Sequence, residues 1–388
     1  MRYILLILLS SVSVFAQPPA GQWRGIIEYE NNLVPFEFEI THDPDQLIIM
    51  NGDEQVPLDA IFNNDSLVVR LAPFDAQLQA TYSDMIMSGY WSKGYRDSGI
   101  VFRAYYKQSR FDRKHDASID ISGTYMAQLQ TGPFRRDEAV LTLDSRDNQV
   151  HGTIQTDVGD YRYLSGVVSQ DSLWISAFDG VHALLLKAAV VNDSLTGAFI
   201  SDSNYAQNIN AVKSSEAALS DPFVEVNSRS RPYYDILVAA DSSQYIDLSL
   251  YFDKVLVIQL FGTWCPNSWD QARYLAKWYD QREDDVEMLA VTYEPNFSIE
   301  YASQRIADYK RDMQANYPIY IGGRLNKADP ALAFPGLDRI QAFPTLVILD
   351  KQGVVRYMAN YMNGPATGRA HQQYWQRFEQ IINQLRSE

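Results

Sequence analysis

Residues 254–268 read KVLVIQLFGTWCPNS, and this stretch predicts a strand, a tight turn and the start of a helix. The run Val255–Phe261 is apolar except for one glutamine, which is typical of a buried strand. A glycine and a threonine then break the strand, and Pro266 suits the first turn of a helix. Cys265 is therefore predicted to lie at a helix N-terminus, where free N–H groups and the helix dipole favour a thiolate.

Cys265 is the only cysteine in the chain, so the protein cannot form an internal disulfide. Because the turn after a strand exposes the start of the next helix, we expect an accessible thiol with a depressed pKa. A thiolate can attack a disulfide sulfur, whereas a thiol cannot. The alternative is an inert, half-buried cysteine left from a decayed active site.

Two neighbours have a predicted role beside the sulfur. Trp264 either shields one side of it or serves folding alone. Ser268 lies three residues further on, on the same side of the first helical turn. Its hydroxyl either donates a hydrogen bond to the thiolate, which lowers the thiol pKa, or caps backbone N–H groups. It cannot form a disulfide.

Three motifs carry a family resemblance: GTWCPN around Cys265, Phe343-Pro344-Thr345, and Asn363-Gly-Pro-Ala-Thr-Gly368. With them the chain resembles the thioredoxin superfamily, specifically the TlpA-type envelope disulfide reductases and their Bacteroidetes relatives, over roughly residues 221–388. The resemblance implies an α/β thioredoxin-like domain in which Pro344 follows a cis peptide bond and packs against the cysteine. The family motif is W-C-x-x-C, and its second cysteine is replaced here by Ser268.

The resemblance also implies a buried carboxylate six residues before the cysteine, which carries protons in many thioredoxin-type proteins. That position holds Gln259. Glu294, at the end of the next buried strand, is a candidate substitute at the same sheet edge. The plainer interpretation of Glu294 is a solvated loop glutamate.

The N-terminal half predicts only strands. Phe36, Phe38 and Ile40 alternate with glutamates, which indicates a strand with one wet face. Similar segments continue to about residue 106 and predict seven or eight antiparallel strands in a small sandwich or barrel. Short motifs recur about a hundred residues later: Gly21-Gln-Trp23, for example, has its counterpart in Gly123-Thr-Tyr125. This recurrence predicts two tandem copies of one β module.

The sequence therefore predicts a chain of several domains. It has a signal peptide (1–16), β module 1 (17–115), β module 2 (116–212), a linker rich in serine and acidic residues (213–232) and the thioredoxin-like domain (233–388). In the last domain, Ser298 is predicted to cap a helix whose apolar residues recur every three or four positions.

The first sixteen residues and the net charge indicate where the protein is located and which partners it can bind. The first sixteen residues have a short positive start, an apolar run and small residues before a cleavage point, which is typical of a signal peptide. The run is shorter than the ~20 residues of a membrane anchor. We therefore expect export to the periplasm, the cell envelope or the medium, with no membrane insertion after cleavage. A net charge of −15 makes nucleic acid an unfavourable partner.

Neither a metal nor a cofactor is predicted. The chain has no phosphate-binding loop and no zinc-protease motif. Its histidines are scattered without the spacing of metal ligands; they are His42, His115, His151, His182 and His371.

Two functions fit the sequence. The first is a thiol–disulfide oxidoreductase that acts through Cys265 alone and forms mixed disulfides with protein disulfides or thiols of the cell envelope. The alternative is a redox-inactive thioredoxin-fold binding protein, with the β modules as docking domains. A peroxidase of the peroxiredoxin type ranks last, because that family has threonine three residues before the cysteine and this chain has Gly262 there.

Overall fold

The structure is a computed structural model, and it describes most of the chain. The described residues are 17–29, 31–71, 74–94, 98–112, 119–202, 205–226, 238–239, 248–296, 298–325 and 340–388. The predicted signal peptide (1–16) and His115 lie outside these residues. Among the described helices, none has the length and apolar character needed to cross a lipid bilayer.

Eight antiparallel strands at the N-terminal end form a closed barrel. The apolar side chains of the predicted alternation fill the barrel interior. Phe36, Phe38 and Ile40 are fully buried, while Glu39 between them is exposed. Pairing of the first strand with the eighth closes the cylinder. The strands are β1 (Gly21–Tyr29), β2 (Asn32–His42), β3 (Asp45–Asn51), β4 (Glu54–Asn63), β5 (Ser66–Arg70), β6 (Ala76–Ser83), β7 (Ile86–Lys93) and β8 (Ile100–Tyr106).

A second barrel follows. Eight of its strands close through the pairing of β10 with β11, and the two-residue β12 extends β11. The strands are β9 (Gly123–Thr131), β10 (Arg135–Arg146), β11 (Gln149–Thr156), β12 (Gly159–Asp160), β13 (Leu164–Ser169), β14 (Ser172–Phe178), β15 (Ala183–Val191), β16 (Ser194–Asp202) and β17 (Tyr205–Lys213). Gly21 and Gly123 each begin the first strand of a barrel with positive φ. Duplication of one module stays a prediction.

The C-terminal part is a seven-stranded mixed sheet with helices. Its order is β18-β24-β23-β20-β21-β22-β19, with β20, β21 and β22 parallel and the other pairings antiparallel. The strands are β18 (Phe223–Glu225), β19 (Val238–Ala239), β20 (Val255–Phe261), β21 (Val286–Glu294), β22 (Ile319–Arg324), β23 (Thr345–Leu349) and β24 (Val355–Ala359). The helices are α1 (Pro266–Asp280), α2 (Ile299–Met313) and α3 (Arg369–Ser387).

Side chains of all three helices pack into one apolar core with alternate residues of β20, including Val255 and Val257. Ser298 caps α2 as predicted, its hydroxyl accepting a hydrogen bond from the N–H of Tyr301 at 3.1 Å. The predicted linker (213–232) needs correction. Phe223–Glu225 forms an edge strand on β24, because the Phe223 side chain is buried against the ring of Tyr374 of α3.

The two barrels are joined by buried polar contacts. Asn51 and Phe178 exchange two hydrogen bonds, from Asn51 Nδ2 to the Phe178 carbonyl (2.8 Å) and from the Phe178 N–H to Asn51 Oδ1 (3.2 Å). Trp91 Nε1 donates to the carbonyl of Gly180 at 3.0 Å. The first barrel therefore holds residues 178–182 of the second barrel, called here the 178–182 loop. Buried backbone groups paired in this way fix the loop in place.

Candidate active site

The turn after β20 places Cys265 as predicted, at the N-terminus of α1. Cys265 is the N-cap residue, with φ −100° and ψ 116°, and Pro266 is the first helical residue. The N–H of Ser268 donates to the Cys265 carbonyl at 3.0 Å, so the helix begins tightly at the cysteine. The sulfur therefore lies beside the free N–H groups of the first turn.

The segment before β23 lies against the sulfur. The Phe343–Pro344 peptide bond is cis, as the family resemblance implies. The Cys265 thiol donates a hydrogen bond to the carbonyl of Phe343, with the sulfur 3.3 Å from the oxygen. This contact suits the protonated sulfur, because a thiolate has no hydrogen to donate to a carbonyl oxygen.

The expected exposure of Cys265 is wrong: the residue is only 8% exposed. Burial raises the pKa of the Cys265 thiol, and the charge of Asp179 raises it further. Hydrogen bonds from Ser268 and Asn267 lower the pKa, but burial outweighs them. The predicted depression of the pKa is therefore also wrong. A helix N-terminus favours a thiolate only where the charge stays in contact with water.

The second barrel causes the burial, through residues 156–162, called here the 156–162 loop. Asn267 Nδ2 of α1 donates to the carbonyl of Asp160 at 3.2 Å. The N–H of Gly364 donates to Asp160 Oδ1 at 2.6 Å. Gln155, just before the loop, donates from Nε2 to Asn363 Oδ1 at 2.7 Å. The Asn363–Gly368 motif thus docks the 156–162 loop beside the cysteine.

Two glycines allow this close approach. Gly159 has φ +122°, and a Cβ there would lie 2.6 Å from Asn267 Nδ2. A Cβ on Gly364 would lie 2.5 Å from an oxygen of Asp160. A Cβ at either position would displace the Asn267 amide or the Asp160 carboxylate, and with it the hydrogen bonds that hold the 156–162 loop beside α1.

Between the barrel and the sulfur lies a cavity of about 180 Å³, called here the thiol chamber. Cys265, Trp264 and Phe343 form one wall. The second barrel supplies the other, with Asp160, Arg162, Asp179 and His182 among the lining residues. A thiol under charged and titratable side chains from another module is an arrangement suited to proton transfer.

Arg162 lines both the thiol chamber and a larger cleft of about 930 Å³ between the three modules. Its guanidinium forms ion pairs with Asp270 of α1 and with Glu54 of the first barrel. Burial alone would lower the pKa of Arg162, but Asp270 and Glu54 raise it above its ordinary value. Arg162 therefore stays charged and holds all three modules at one point.

Ser268 and Trp264 lie where the sequence predicts. The Ser268 hydroxyl is fully buried and makes no well-formed hydrogen bond with any described residue, so it does not cap the helix. It lies close enough to the sulfur to lower the thiol pKa. Trp264 Nε1 donates to the Tyr293 carbonyl at 2.9 Å, which holds the indole in the wall of the thiol chamber.

Neither Gln259, which stands in place of the missing carboxylate, nor the candidate substitute Glu294 lines the chamber. Gln259 is fully buried, and its Nε2 donates to Gln271 Oε1 at 2.9 Å. The interpretation of Glu294 as a solvated loop residue is wrong, because it is fully buried. Its carboxylate accepts hydrogen bonds from the N–H and hydroxyl of Thr263, at 3.0 and 2.9 Å, and from the Thr292 hydroxyl. Glu294 therefore positions the turn before the cysteine.

His182 is the residue that the sequence analysis passed over. The carboxylate of Asp179 accepts from the N–H of Val181 (2.8 Å) and of His182 (2.6 Å), and its Oδ2 lies 3.0 Å from His182 Nδ1. The signal in the sequence is Asp-Gly-Val-His after a strand, which is too short to identify a site. Among the described residues, no group of three histidine, cysteine or acidic side chains is arranged to hold a metal ion.

No family model and no curated protein sequence matches the chain. Solved structures that are similar to part of the chain include proteins described as thiol–disulfide isomerases and oxidoreductases. A DsbF homologue from Corynebacterium diphtheriae is 19% identical, over 41% of this chain and 92% of its own, with a TM-score of 0.31. A thiol–disulfide isomerase from Corynebacterium glutamicum is 13% identical, over 42% and 99%, with a TM-score of 0.31. A secreted thiol–disulfide isomerase from the same organism is 19% identical, over 36% and 81%, with a TM-score of 0.27.

Proposed function

We propose that this chain is an exported, thioredoxin-like protein that performs thiol–disulfide exchange through Cys265 alone. The proposal rests mainly on one contact: Cys265, at the N-terminus of α1, is hydrogen-bonded to the Phe343 carbonyl beside the cis Phe343–Pro344 bond. The central position of β20, between parallel β21 and antiparallel β23, supports a thioredoxin-like fold around that meeting point. Export rests on the predicted signal peptide.

The exchange has one step on the protein. The Cys265 thiol loses its proton, and its sulfur attacks one sulfur of a disulfide. A new S–S bond joins Cys265 to that half, while the old S–S bond breaks and the other half leaves as a thiolate that takes up a proton. Ser268 cannot repeat the attack, so a second thiol from outside must release the mixed disulfide. We propose protein disulfides or thiols of the cell envelope as the partners.

Burial sets the rate of this step. With the thiol pKa raised, the thiolate fraction at neutral pH is below that of a free cysteine. The 180 Å³ chamber is also too small for a polypeptide segment, so a protein disulfide needs the 156–162 loop to move. We therefore expect slow exchange in the closed form and faster exchange when the second barrel loosens its contact with α1.

The test is the formation of a mixed disulfide. The purified protein is incubated with oxidised glutathione, and the mass on Cys265 is followed with time after acid quenching. One glutathionyl group per chain is expected, and it should persist until an added thiol removes it. The Cys265→Ser variant is the control for reaction elsewhere. Absence of the adduct after long incubation at pH 8 would reject the exchange function.

A redox-inactive binding protein is the second candidate, and the burial of Cys265 favours it. In that case the mixed sheet holds peptides or its own barrels, and the cysteine packs as a small apolar side chain. Cys265→Ala should then keep wild-type stability and partner binding, and no adduct should form with oxidised glutathione. The two functions therefore predict opposite outcomes for one experiment.

A further inference from the structure

The thiol chamber contains a histidine that is already oriented. Asp179 holds the loop backbone through the N–H groups of Val181 and His182, and it holds the His182 ring through Nδ1. Asp179 is 6% exposed. Burial alone would raise the pKa of Asp179, but contacts with His182 and Arg162 lower it to about 2, so it is a carboxylate at neutral pH. A carboxylate on Nδ1 leaves Nε2 as the nitrogen that accepts a proton.

Cys265 needs a proton acceptor from outside the mixed sheet. Gln259 is an amide in the position of the usual carboxylate, and Glu294 is occupied by Thr263 and Thr292. The thiol proton itself points at the Phe343 carbonyl, which is no base. Since burial disfavours a free thiolate, attack is easiest when the proton leaves as the new bond forms.

We propose that His182, oriented by Asp179, is the general base for Cys265, so that the second barrel completes the active site of the mixed sheet. The proposal rests on the proposed exchange function for its biological meaning. In the step, His182 Nε2 takes the proton from the sulfur as the sulfur attacks, and the imidazolium then protonates the leaving thiolate. Asp179 stabilises the imidazolium, as an acid partner does in serine and cysteine hydrolases.

The other charged groups around the chamber are committed elsewhere. Asp160 accepts from the N–H groups of Gly364 and Arg162. Arg162 is paired with Glu54 of the first barrel and with Asp270 of α1. Each of these groups bears on the local potential, and none is a neutral base with a free lone pair beside the thiol. Burial raises the pKa of Asp160 to about 6, so the experiment has to separate this carboxyl from His182.

The experiment measures the rate of Cys265 alkylation by iodoacetamide from pH 5 to 10 in the full chain. A step between about pH 5 and 8 reports a histidine or the Asp160 carboxyl, whose pKa is raised to about 6, and a step at higher pH reports the thiol itself; Asp160→Asn, which should keep the lower step, separates the first two. We expect both steps in the wild type. His182→Gln should lose the first, with a rate at pH 7 reduced about a hundredfold, the lower end of general-base effects. His151→Ala, an exposed strand histidine outside the chamber, is the matched control.

Two further measurements keep the result unambiguous. His182→Gly with added imidazole should regain part of the lost rate, which a purely structural defect would not. Equal melting temperatures of wild type and His182→Gln would exclude unfolding as the cause. Superimposable pH profiles of wild type and His182→Gln would overturn the proposal. A histidine-dependent alkylation step without any glutathione adduct would instead reject the exchange function and leave the base assignment standing.

Discussion

Arg162 of the second barrel forms a buried ion pair with Asp270 of helix α1. Asp270 lies five residues after Cys265. The same guanidinium binds Glu54 of the first barrel. One side chain thus joins two barrels and the helix that carries the thiol. Arg162 also lines both the thiol chamber and the wider cleft, together with Asp179 and Pro266.

Replacing this arginine should open the site. Arg162→Gln leaves the partly buried Glu54 carboxylate without its cation and leaves Asp270 only its ion pair with Arg273, and loss of a buried partner typically costs ~3–5 kcal/mol of unfolding free energy. We expect that destabilisation in a urea titration. We also expect a Cys265 alkylation rate at least about tenfold above wild type, since a 1.4 kcal/mol shift toward the open form already gives a factor of ten. Unchanged alkylation would show that Arg162 does not control access.

The matched control is Arg146→Gln. Arg146 pairs with Asp144 on an exposed strand face, where the Arg146 side chain is 83% exposed. Exposed pairs contribute ~0–1 kcal/mol, so neither stability nor alkylation should change beyond that range.

Ser268→Cys should create an internal disulfide. The first turn of α1 places residue 268 beside the sulfur, and the serine hydroxyl is close enough to influence the thiol pKa. Mild oxidation at alkaline pH, chosen because burial raises the pKa of the Cys265 thiol, should remove two hydrogen atoms from the protein mass. Alkylation of the denatured product should then fail. Two alkylated cysteines after oxidation would mean that the side chains diverge.

Stability should depend on pH through Asp160. Burial and the charge of Asp270 raise the pKa of Asp160 from 3.8 to about 6. The folded protein therefore binds this proton more tightly than the unfolded chain does. The contribution is largest below pH 4, declines as the pH rises to 6, and amounts to about 3 kcal/mol at most. Unfolding free energies across this window should show the decline in wild type and a flat line in Asp160→Asn.

Asp179 should not affect the unfolding free energy between pH 4 and 6. Its pKa is lowered to about 2, so its contribution to stability changes only below pH 4. The control variant is Asp144→Asn, an exposed strand carboxylate, which should keep the wild-type decline. A decline that persists in Asp160→Asn would assign it to another group.

Much of the mixed sheet was predictable from local sequence. The strand, turn and helix around Cys265 and the cap at Ser298 are set by residues close in the chain, whereas the cis bond at Pro344 was implied by the family resemblance. The edge strand at Phe223 was not, because three residues carry no periodic signal and pair with a strand more than a hundred residues away.

The burial of Cys265 could not be predicted for a physical reason. Alternation along a strand indicates which side chains face inward, but not which outer loop of a barrel docks on another module. Gly159, Asp160 and His182 reach the cysteine from about a hundred residues away. The competition between helix N–H groups and burial, which decides the thiol pKa, includes this contact between modules as well as the local contact with Phe343.

Trp91→Phe in the first barrel should alter the pH profile of Cys265 alkylation, although Trp91 lies outside the mixed-sheet module that contains Cys265. Trp91 Nε1 donates to the Gly180 carbonyl, inside the 178–182 loop that holds His182, and its ring packs edge-on to Phe178 at 5.1 Å. Phenylalanine keeps the ring and removes the donor, at a cost of about 1 kcal/mol. With the loop less fixed, the histidine-dependent step in the alkylation profile should shrink, while the step due to the thiol remains.

The control for this variant is Trp23→Phe. Trp23 lies in the same barrel, is equally buried and donates from Nε1 to the Pro19 carbonyl at 3.0 Å, away from the 178–182 loop. It should lose similar stability and leave the alkylation profile unchanged. If both variants change the profile alike, the effect comes from general loosening of the barrel. If only Trp91→Phe changes it, the first barrel acts on Cys265 through the position of His182.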